Sequence, residues 1–266
     1  RADYAVQVYM TAGPGDATEV VARVWEAVDR VVCCGGDGTF NETIAGLLRV
    51  GAKTPVGYIP AGSTNDFASS LRLSTDILEA TQDIILGHPV AYDAGLFGGR
   101  VFSYVASFGA FTRTSYTTPQ SIKNALGHTA YVLEGIQELS QIRKEHIKMI
   151  IDGEEIEDDF LFGAICNSTS VGGILTLDPQ VVDLQDNKLE ILLVRAPRNL
   201  SEIHECILAL NSQKYNCARV TFRSATHIRI FADPDMPWTL DGEREEGHSE
   251  VVVTPEHLAY RLVKRT

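Results

Sequence analysis

Val31-Val32-Cys33-Cys34-Gly35-Gly36-Asp37-Gly38-Thr39-Phe40-Asn41-Glu42 decides how this chain is read. Its four leading apolar residues suit a buried parallel strand. The glycines suit a tight turn, and Phe40, Ile44, Leu47 and Leu48 then recur at helical spacing. The stretch predicts strand, loop and helix. Thr39 and Glu42 stand in capping-box spacing, which puts the helix start just after the glycines. A helix start offers unpaired N–H groups and partial positive charge, and glycines let an anion approach that backbone. The loop is therefore a candidate phosphate cradle. Asp37 sharpens the reading, because a carboxylate beside a phosphate is repelled unless a cation lies between them. A magnesium-nucleotide complex meets that need; the bland alternative is a plain turn with Asp37 solvated.

Working outward, Tyr4 to Met10 alternates and predicts a strand, closed by Thr11-Ala12-Gly13-Pro14-Gly15-Asp16. Asp16 or Thr18 then caps a helix carrying Val20, Val21, Val24, Trp25 and Val28. On the other side Val56 to Ile59 is a short strand, Pro60-Ala61-Gly62-Ser63-Thr64-Asn65-Asp66 a loop, and Phe67 to Leu71 a helical start. Such alternation predicts an α/β fold with a doubly wound sheet and ligand at the carboxyl ends of its strands. Thr11, the glycine-aspartate loop and Ser63 would then share one edge. Asp66 alone reads as a helix cap; paired with Asp37 it reads as part of a shared site.

Composition changes near Gly87-His88-Pro89, giving an α/β domain over 1–88 and a second, mainly antiparallel β domain over 89–266. Strands are predicted at Val101 to Ser107, Ile147 to Asp152, Phe160 to Asn167, Leu189 to Val194, His227 to Phe231 and Val251 to Thr254. Helices are predicted at Ser121 to Arg143 and Leu200 to Leu210. Two turns could carry chemistry. Trp238-Thr239-Leu240-Asp241-Gly242-Glu243 holds two acids that could face one cleft if the turn kinks at Gly242, or is a plain hairpin turn. Asp183-Leu184-Gln185-Asp186-Asn187-Lys188 offers oxygen ligands for a hard cation, or is an Asx turn with Asn187 left-handed.

Lys and Arg number 23 against 35 Asp and Glu, a net charge of −12, which argues against nucleic acid as a general partner. No apolar run is long enough to span a bilayer and nothing at the start resembles a signal peptide, so a cytoplasmic protein is expected. The five cysteines form no CxxC pair and the seven histidines show no zinc spacing, so reduced, buried thiols and no zinc site are expected.

Gly35-Gly36-Asp37-Gly38-Thr39-x-Asn41-Glu42, Pro60-x-Gly62-x-x-Asn65-Asp66-Phe67 and Leu240-Asp241-Gly242-Glu243, in that order, resemble the soluble bacterial diacylglycerol kinase and lipid kinase family, related to sphingosine kinases. Thr11 with Gly15-Asp16-Ala17, Ser115-Tyr116-x-Thr118-Pro119 and Asp186 also fit. The resemblance implies a nucleotide-binding α/β domain, an NAD kinase-like antiparallel β-sandwich domain whose last strand returns to the first, and a cleft between them. It implies ATP and Mg2+ as cofactors. Thr11, Gly36, Asp37, Gly38, Thr39, Phe40, Asn41, Glu42 and Ser63 would contact ATP, with Asp37 and Asp66 organising the magnesium-phosphate network. Glu243 would be the general base, Asp241 its support, and Asp183, Asp186 and the Lys188 carbonyl a structural magnesium site. Family members open with a strand and an Asn-Pro-x-Ser-Gly-type phosphate loop that would precede Arg1. Ser63 stands where Thr is usual, and Asn187 where Gly is usual.

The expected activity is ATP-dependent phosphorylation of a lipid hydroxyl, foremost that of diacylglycerol, by a peripheral enzyme at the inner face of the membrane, with homodimers expected from the family. Two alternatives stand beside it. An NAD kinase shares the first loop but lacks the Pro60 to Phe67 and Leu240 to Glu243 features. A non-catalytic nucleotide or lipid sensor would be expected to lose some of Asp37, Asp66, Asp241 and Glu243. Gly46 with Gly51-Ala52-Lys53-Thr54 imitates a Walker A loop, but puts Gly46 inside a helix.

Overall fold

The structure is a computed structural model that describes residues 4–63, 65–110, 143–171, 175–178, 180–213, 215 and 217–265. The helix predicted from Ser121, as far as residue 142, and the Ser115 to Pro119 stretch lie outside the described residues. The chain divides into two compact units, Arg1–Ala94 with His257–Thr266, and Gly95–Glu256.

In the first unit β1 (Val31–Gly35) and β2 (Val56–Pro60) pair in parallel, from Val31 opposite Val56 to Gly35 opposite Pro60. A parallel pair needs a crossover, and α2 (Asp37–Arg49) supplies it. β15 (Glu250–Lys264) lays Leu262 beside Val56, again in parallel. Successive strand residues face opposite sides, and β2 shows both sides covered. A Cβ on Gly57 would lie 2.7 Å from Ile84 of α4 (Ile77–Leu86). The ring of Tyr58, pointing the other way, sits 4.6 Å from Phe40 of α2. Helices on both faces of a parallel sheet are the doubly wound arrangement the alternation predicts.

The core on the α2 side is aromatic. Phe40 stacks on Phe67 of α3 (Asp66–Ser70) at 4.6 Å, and Tyr260 of β15 meets Phe40 edge-on at 5.9 Å. Burying side chains of this size stabilises the fold by about 1.5–3 kcal/mol each.

Several expectations are corrected. Tyr4 to Met10 forms no strand among the described residues; Val6 and Val8 are each 79% exposed, and alternation stabilises a strand only when a neighbour pairs with it and covers one face. The apolar run of β1 is not buried throughout: Cys33, beside Tyr58, is buried, while Val32 and Cys34, on the face that Gly57 turns to α4, are exposed. α2 starts at Asp37, so Thr39 lies in its first turn and forms no capping box. Neither Asp16 nor Thr18 caps α1 (Asp16–Val24), whose N-cap is the left-handed Gly15. Gly46 lies inside α2, where a Cβ would sit 2.7 Å from the Thr18 carbonyl of α1. Lys53 donates to the carbonyls of Leu258 and Ala259 at 2.8 and 2.9 Å.

The second unit is antiparallel. Its longest internal strand, β7 (Glu154–Cys166), pairs through its first half with β6 (Glu145–Ile151), and through its second half with both β5 (Val105–Gly109) and β10 (Leu189–Arg195). From β6 the sheet continues to β12 (Ile228–Phe231) and the start of β15; from β5 it continues to β13 (Trp238–Leu240) and β14 (Glu243–Glu245). β11 (Val220–Ala225) flanks β10. The inward residues, among them Phe97, Phe102, Phe108, Ile147, Met149, Phe160, Ile191 and Trp238, form one apolar core. The predicted run from Val101 to Ser107 is broken at Ser103 and Tyr104 into β4 (Arg100–Phe102) and β5. The predicted helix at Leu200 becomes α5 (Leu200–Asn211), capped by the Asn199 side chain on the Glu202 N–H at 3.0 Å.

Candidate active site

The glycine-aspartate loop leaves the carboxyl end of β1 and meets the loop that leaves β2. Contact is made through the two glycines: a Cβ on Gly62 would fall 2.5 Å from the Gly36 Cα, so no other residue fits there without moving the backbone. The Ala61 N–H donates to the Gly35 carbonyl at 2.9 Å. Asn65, left-handed at φ 54°, closes the second loop by exchanging two 2.9 Å bonds with the Gly62 backbone. Both loops are thereby fixed.

The acids of the first loop are turned toward protein. Asp37 is buried, and its carboxylate accepts the backbone N–H groups of Asp66 at 3.0 Å and Phe67 at 3.2 Å, the first two amides of α3. Glu42 accepts the N–H of Gly15 at 2.7 Å and of Ala17 at 3.2 Å, the start of α1. Asp16 accepts the Ala12 N–H at 2.7 Å and closes the Thr11 turn. Acceptors at helix starts satisfy amides that have no intrahelical partner. α1 takes one from Glu42, α3 from Asp37, α4 from Asp76 and α5 from Asn199. The N-cap of α2 is Gly36, which has no side chain to offer. A helix start in a glycine loop suits an anion.

Thr11 and Ser63 are exposed, and Gly36, Gly38 and Thr39 half-buried, so a ligand could reach them. Asn41 and Asp66 are buried. The Phe40 side chain is wholly buried in the ring cluster, and its N–H donates to the Gly36 carbonyl; its place is in the core, not against a ligand.

In the second unit, Leu240 pairs with Glu243 across a two-residue turn in which Asp241 and Gly242 both have positive φ, 49° and 83°. This is the backbone that Asp-Gly favours. Asp241 is buried, and its carboxylate accepts four bonds: from the N–H and hydroxyl of Ser103 at 2.5 and 2.8 Å, and from the N–H groups of Tyr104 and Val105 at 3.0 and 2.9 Å. Burial pushes its carboxyl up to about 6 against the pull of those bonds. Glu243 points elsewhere. It is 46% exposed and ion-paired with Arg100 at 3.0 Å, while Arg100 also pairs with Glu245, on the same face of β14. The two acids therefore do not face one cleft: Asp241 anchors the turn and Glu243 projects from it. Sequence reasoning missed Arg100 and Ser103 because their partners lie well over a hundred residues away and carry no local pattern.

Asp183 accepts the Gln185 N–H and Asp186 the Lys188 N–H, both at 3.0 Å, and Asn187 is left-handed at φ 61°. These are Asx turns. Lys188 Nζ lies 3.6 Å from Asp186, and among the described residues no group of three or more His, Cys, Asp or Glu is placed to hold a metal ion. The donor chemistry still suits a hard cation. Glu190, fully buried nearby, has its carboxyl raised to about 8 by burial and by the charges of Asp186 and Asp183, and its Oε2 has no hydrogen-bond partner among the described residues.

Comparison with known proteins fits this geometry. Residues 1–97 match the model of the diacylglycerol kinase catalytic domain, and residues 105–260 that of the YegS C-terminal NAD kinase beta sandwich-like domain. A diacylglycerol kinase of Staphylococcus saprophyticus is 33% identical over 245 residues, 91% of this chain and 80% of that protein. One of Bacillus subtilis is 29% identical over the same length, again 91% and 80%. The crystal structure of a diacylglycerol kinase from Bacillus anthracis superposes with a TM-score of 0.73 at 21% identity, covering 97% of this chain and 85% of that one, which speaks to the fold. Fold and matched domains together define a kinase, with a nucleotide as its phosphoryl donor. The chain belongs to the diacylglycerol kinase family.

Proposed function

We propose that this kinase transfers the γ-phosphoryl group of ATP to the primary hydroxyl of diacylglycerol, giving phosphatidic acid and ADP. The observation that carries the nucleotide half of this reading is the start of α2: under the Gly36 to Gly62 contact, it has no side-chain cap from its own N-cap residue. The acceptor follows from the relatives, which are named as diacylglycerol kinases.

Phosphoryl transfer asks for positioning, charge neutralisation and one acceptor for the hydroxyl proton. Gly36, Gly38 and Thr39, with Thr11 and Ser63, are assigned to the ATP phosphates, whose charge suits the α2 N-terminus. Asp37 and Asp66 are assigned to the order of the magnesium-phosphate network, Asp37 through its hold on α3. Glu243 takes the proton as the lipid oxygen forms its bond to phosphorus and the bond to the ADP oxygen breaks. Arg100 holds the Glu243 carboxylate, and Asp241 fixes the turn that presents it.

Asp183, Asp186 and the Lys188 carbonyl would hold Mg2+, an oxygen-only set matching that ion's preference. Bound there, the ion would supply positive charge against two carboxylates and the buried Glu190. No helix among the described residues is long and apolar enough to cross a membrane; we assign the enzyme to the membrane surface, where its acceptor lies.

The test is transfer of labelled γ-phosphate from ATP with Mg2+ to a panel of lipids in mixed micelles, comparing the protein with Glu243→Gln. Labelled diacylglycerol, lost in the variant, supports both substrate and base. Labelled NAD in place of lipid would replace this reading with the NAD kinase alternative, and ATP binding with no transfer to any acceptor would favour a sensor.

A further inference from the structure

Arg100 is placed by a tight turn and shared by two acids. Phe97 pairs with Arg100 across Gly98 and Gly99, both at positive φ, 57° and 91°, a two-residue turn that sets where the arginine leaves β4. Glu243 and Glu245 stand two positions apart on β14, so their side chains leave the same side of the strand. The guanidinium meets each acid with a different nitrogen: Nη2 donates to Glu243 Oε2 at 3.0 Å, and Nη1 donates to Glu245 Oε2. Glu245 is the better buried of the two, its side chain 16% exposed against 46% for Glu243. Its other oxygen, Oε1, lies 3.6 Å from His248 Nε2, and the His248 ring packs 5.8 Å from that of Phe97, in the apolar core. Glu243 Oε1, in contrast, makes no hydrogen bond among the described residues.

We infer that Glu245 is a positioning residue for Glu243: by holding Nη1 of Arg100 it keeps the arginine from closing a two-pronged pair on Glu243, whose Oε1 stays open to the lipid hydroxyl proton. The inference rests on Glu243 as the base. An arginine and a carboxylate readily form a fork of two parallel N–H···O bonds. A base caught in such a fork has both oxygens engaged, and the adjacent positive charge opposes its protonation. A carboxylate with no partner at all is free but poorly aimed, and aim is a large part of the rate. The shared arginine meets both needs, since it orients Glu243 through Oε2 and leaves Oε1 to act. Glu245 keeps its share because it is the less exposed acid and is flanked by His248.

The experiment measures kcat and both KM values for transfer from ATP with Mg2+ to diacylglycerol in mixed micelles. The unsubstituted protein is compared with Glu245→Gln, Glu245→Asp, Arg100→Met, the Arg100→Met and Glu245→Gln pair, and Glu243→Gln. Glu245→Gln is expected to lower kcat about tenfold, a part of the about 10²- to 10⁴-fold that a general base supplies, with both KM values within about twofold. Glu245→Asp, which keeps a carboxylate, restores most of that loss. With Arg100→Met in place no guanidinium is left to close on Glu243, so adding Glu245→Gln costs nothing further. A multiplicative loss in the double variant overturns the role of Glu245 and leaves the base standing, as does an unchanged kcat in Glu245→Gln while Glu243→Gln abolishes transfer. Full transfer by Glu243→Gln overturns the base, and this inference with it. Glu245→Ala supplies the same comparison should Glu245→Gln not fold.

Discussion

The carboxylate of Asp37 accepts the backbone N–H of Asp66 at 3.0 Å, 29 residues further along the chain. The acid most readily read as facing a phosphate-bound cation is thus the clamp that seats the second loop on the first. Through this bond and its companion to Phe67, the loops after β1 and β2 become one rigid edge, with Gly36 against Gly62 at its centre.

Asp37→Ala is expected to destabilise the first unit by about 1–3 kcal/mol, since it strips the acceptor from two buried helix amides. Urea denaturation measures this directly. The same variant should raise the KM for ATP, because the Gly62 loop loses its anchor. An unchanged unfolding midpoint would show that α3 does not depend on this clamp.

Glu42→Ala should act one layer back. Removing the acceptor of the Gly15 and Ala17 amides costs about 0.5–2 kcal/mol of α1 stability and frees the Thr11 turn. Hydrogen exchange over residues 11–20 should accelerate, while residues of β7 and β10 stay unchanged.

Glu243→Gln is expected to lower kcat by about 10²- to 10⁴-fold with little change in thermal midpoint, because the side chain is half exposed and its pair with Arg100 lies at the surface. Arg100→Met should lower kcat less than that, with stability again changed by under about 1 kcal/mol. Equal losses in the two variants would mean that Glu243 acts only through its ion pair.

The raised carboxyl of Asp241 gives the second unit a pH signature. Its folded value of about 6 lies above the ordinary 3.8, so between them the folded state binds more protons than the unfolded one. The stabilisation is fully present below about pH 4 and is lost as pH rises through about 6. Asp241→Asn should flatten that slope and weaken the fold, because its amide NH2 must face donors that now converge on a carboxylate oxygen. A slope surviving in the variant would assign it to another group.

Chelation and return of Mg2+ test the Asp183 turn. Magnesium at a hundred times its Kd should stabilise the protein by about 2.7 kcal/mol, read as a rise in thermal midpoint, and Asp186→Asn should remove the response. A response intact in that variant would move the ion elsewhere.

The sequence by itself determined what short-range pattern can encode. Glycines at 35 and 36 before the apolar spacing of α2, the Asp-Gly turn at 241, the left-handed Asn187 and the β-to-α alternation around β1 and β2 each follow from residues within a few positions of one another. The family could be read from three such stretches in order. What only the tertiary structure decided is where the charges point. The Thr39 to Glu42 spacing matched a capping box, yet Glu42 reaches α1, because packing Gly46 against Thr18 brings that helix within reach of its carboxylate. Asp241 and Glu243 stand two positions apart but part company, since the backbone amides that claim Asp241 belong to Ser103, Tyr104 and Val105. A carboxylate goes to the strongest donor set the fold brings near it, and those donors are set by contacts that no local window of sequence contains.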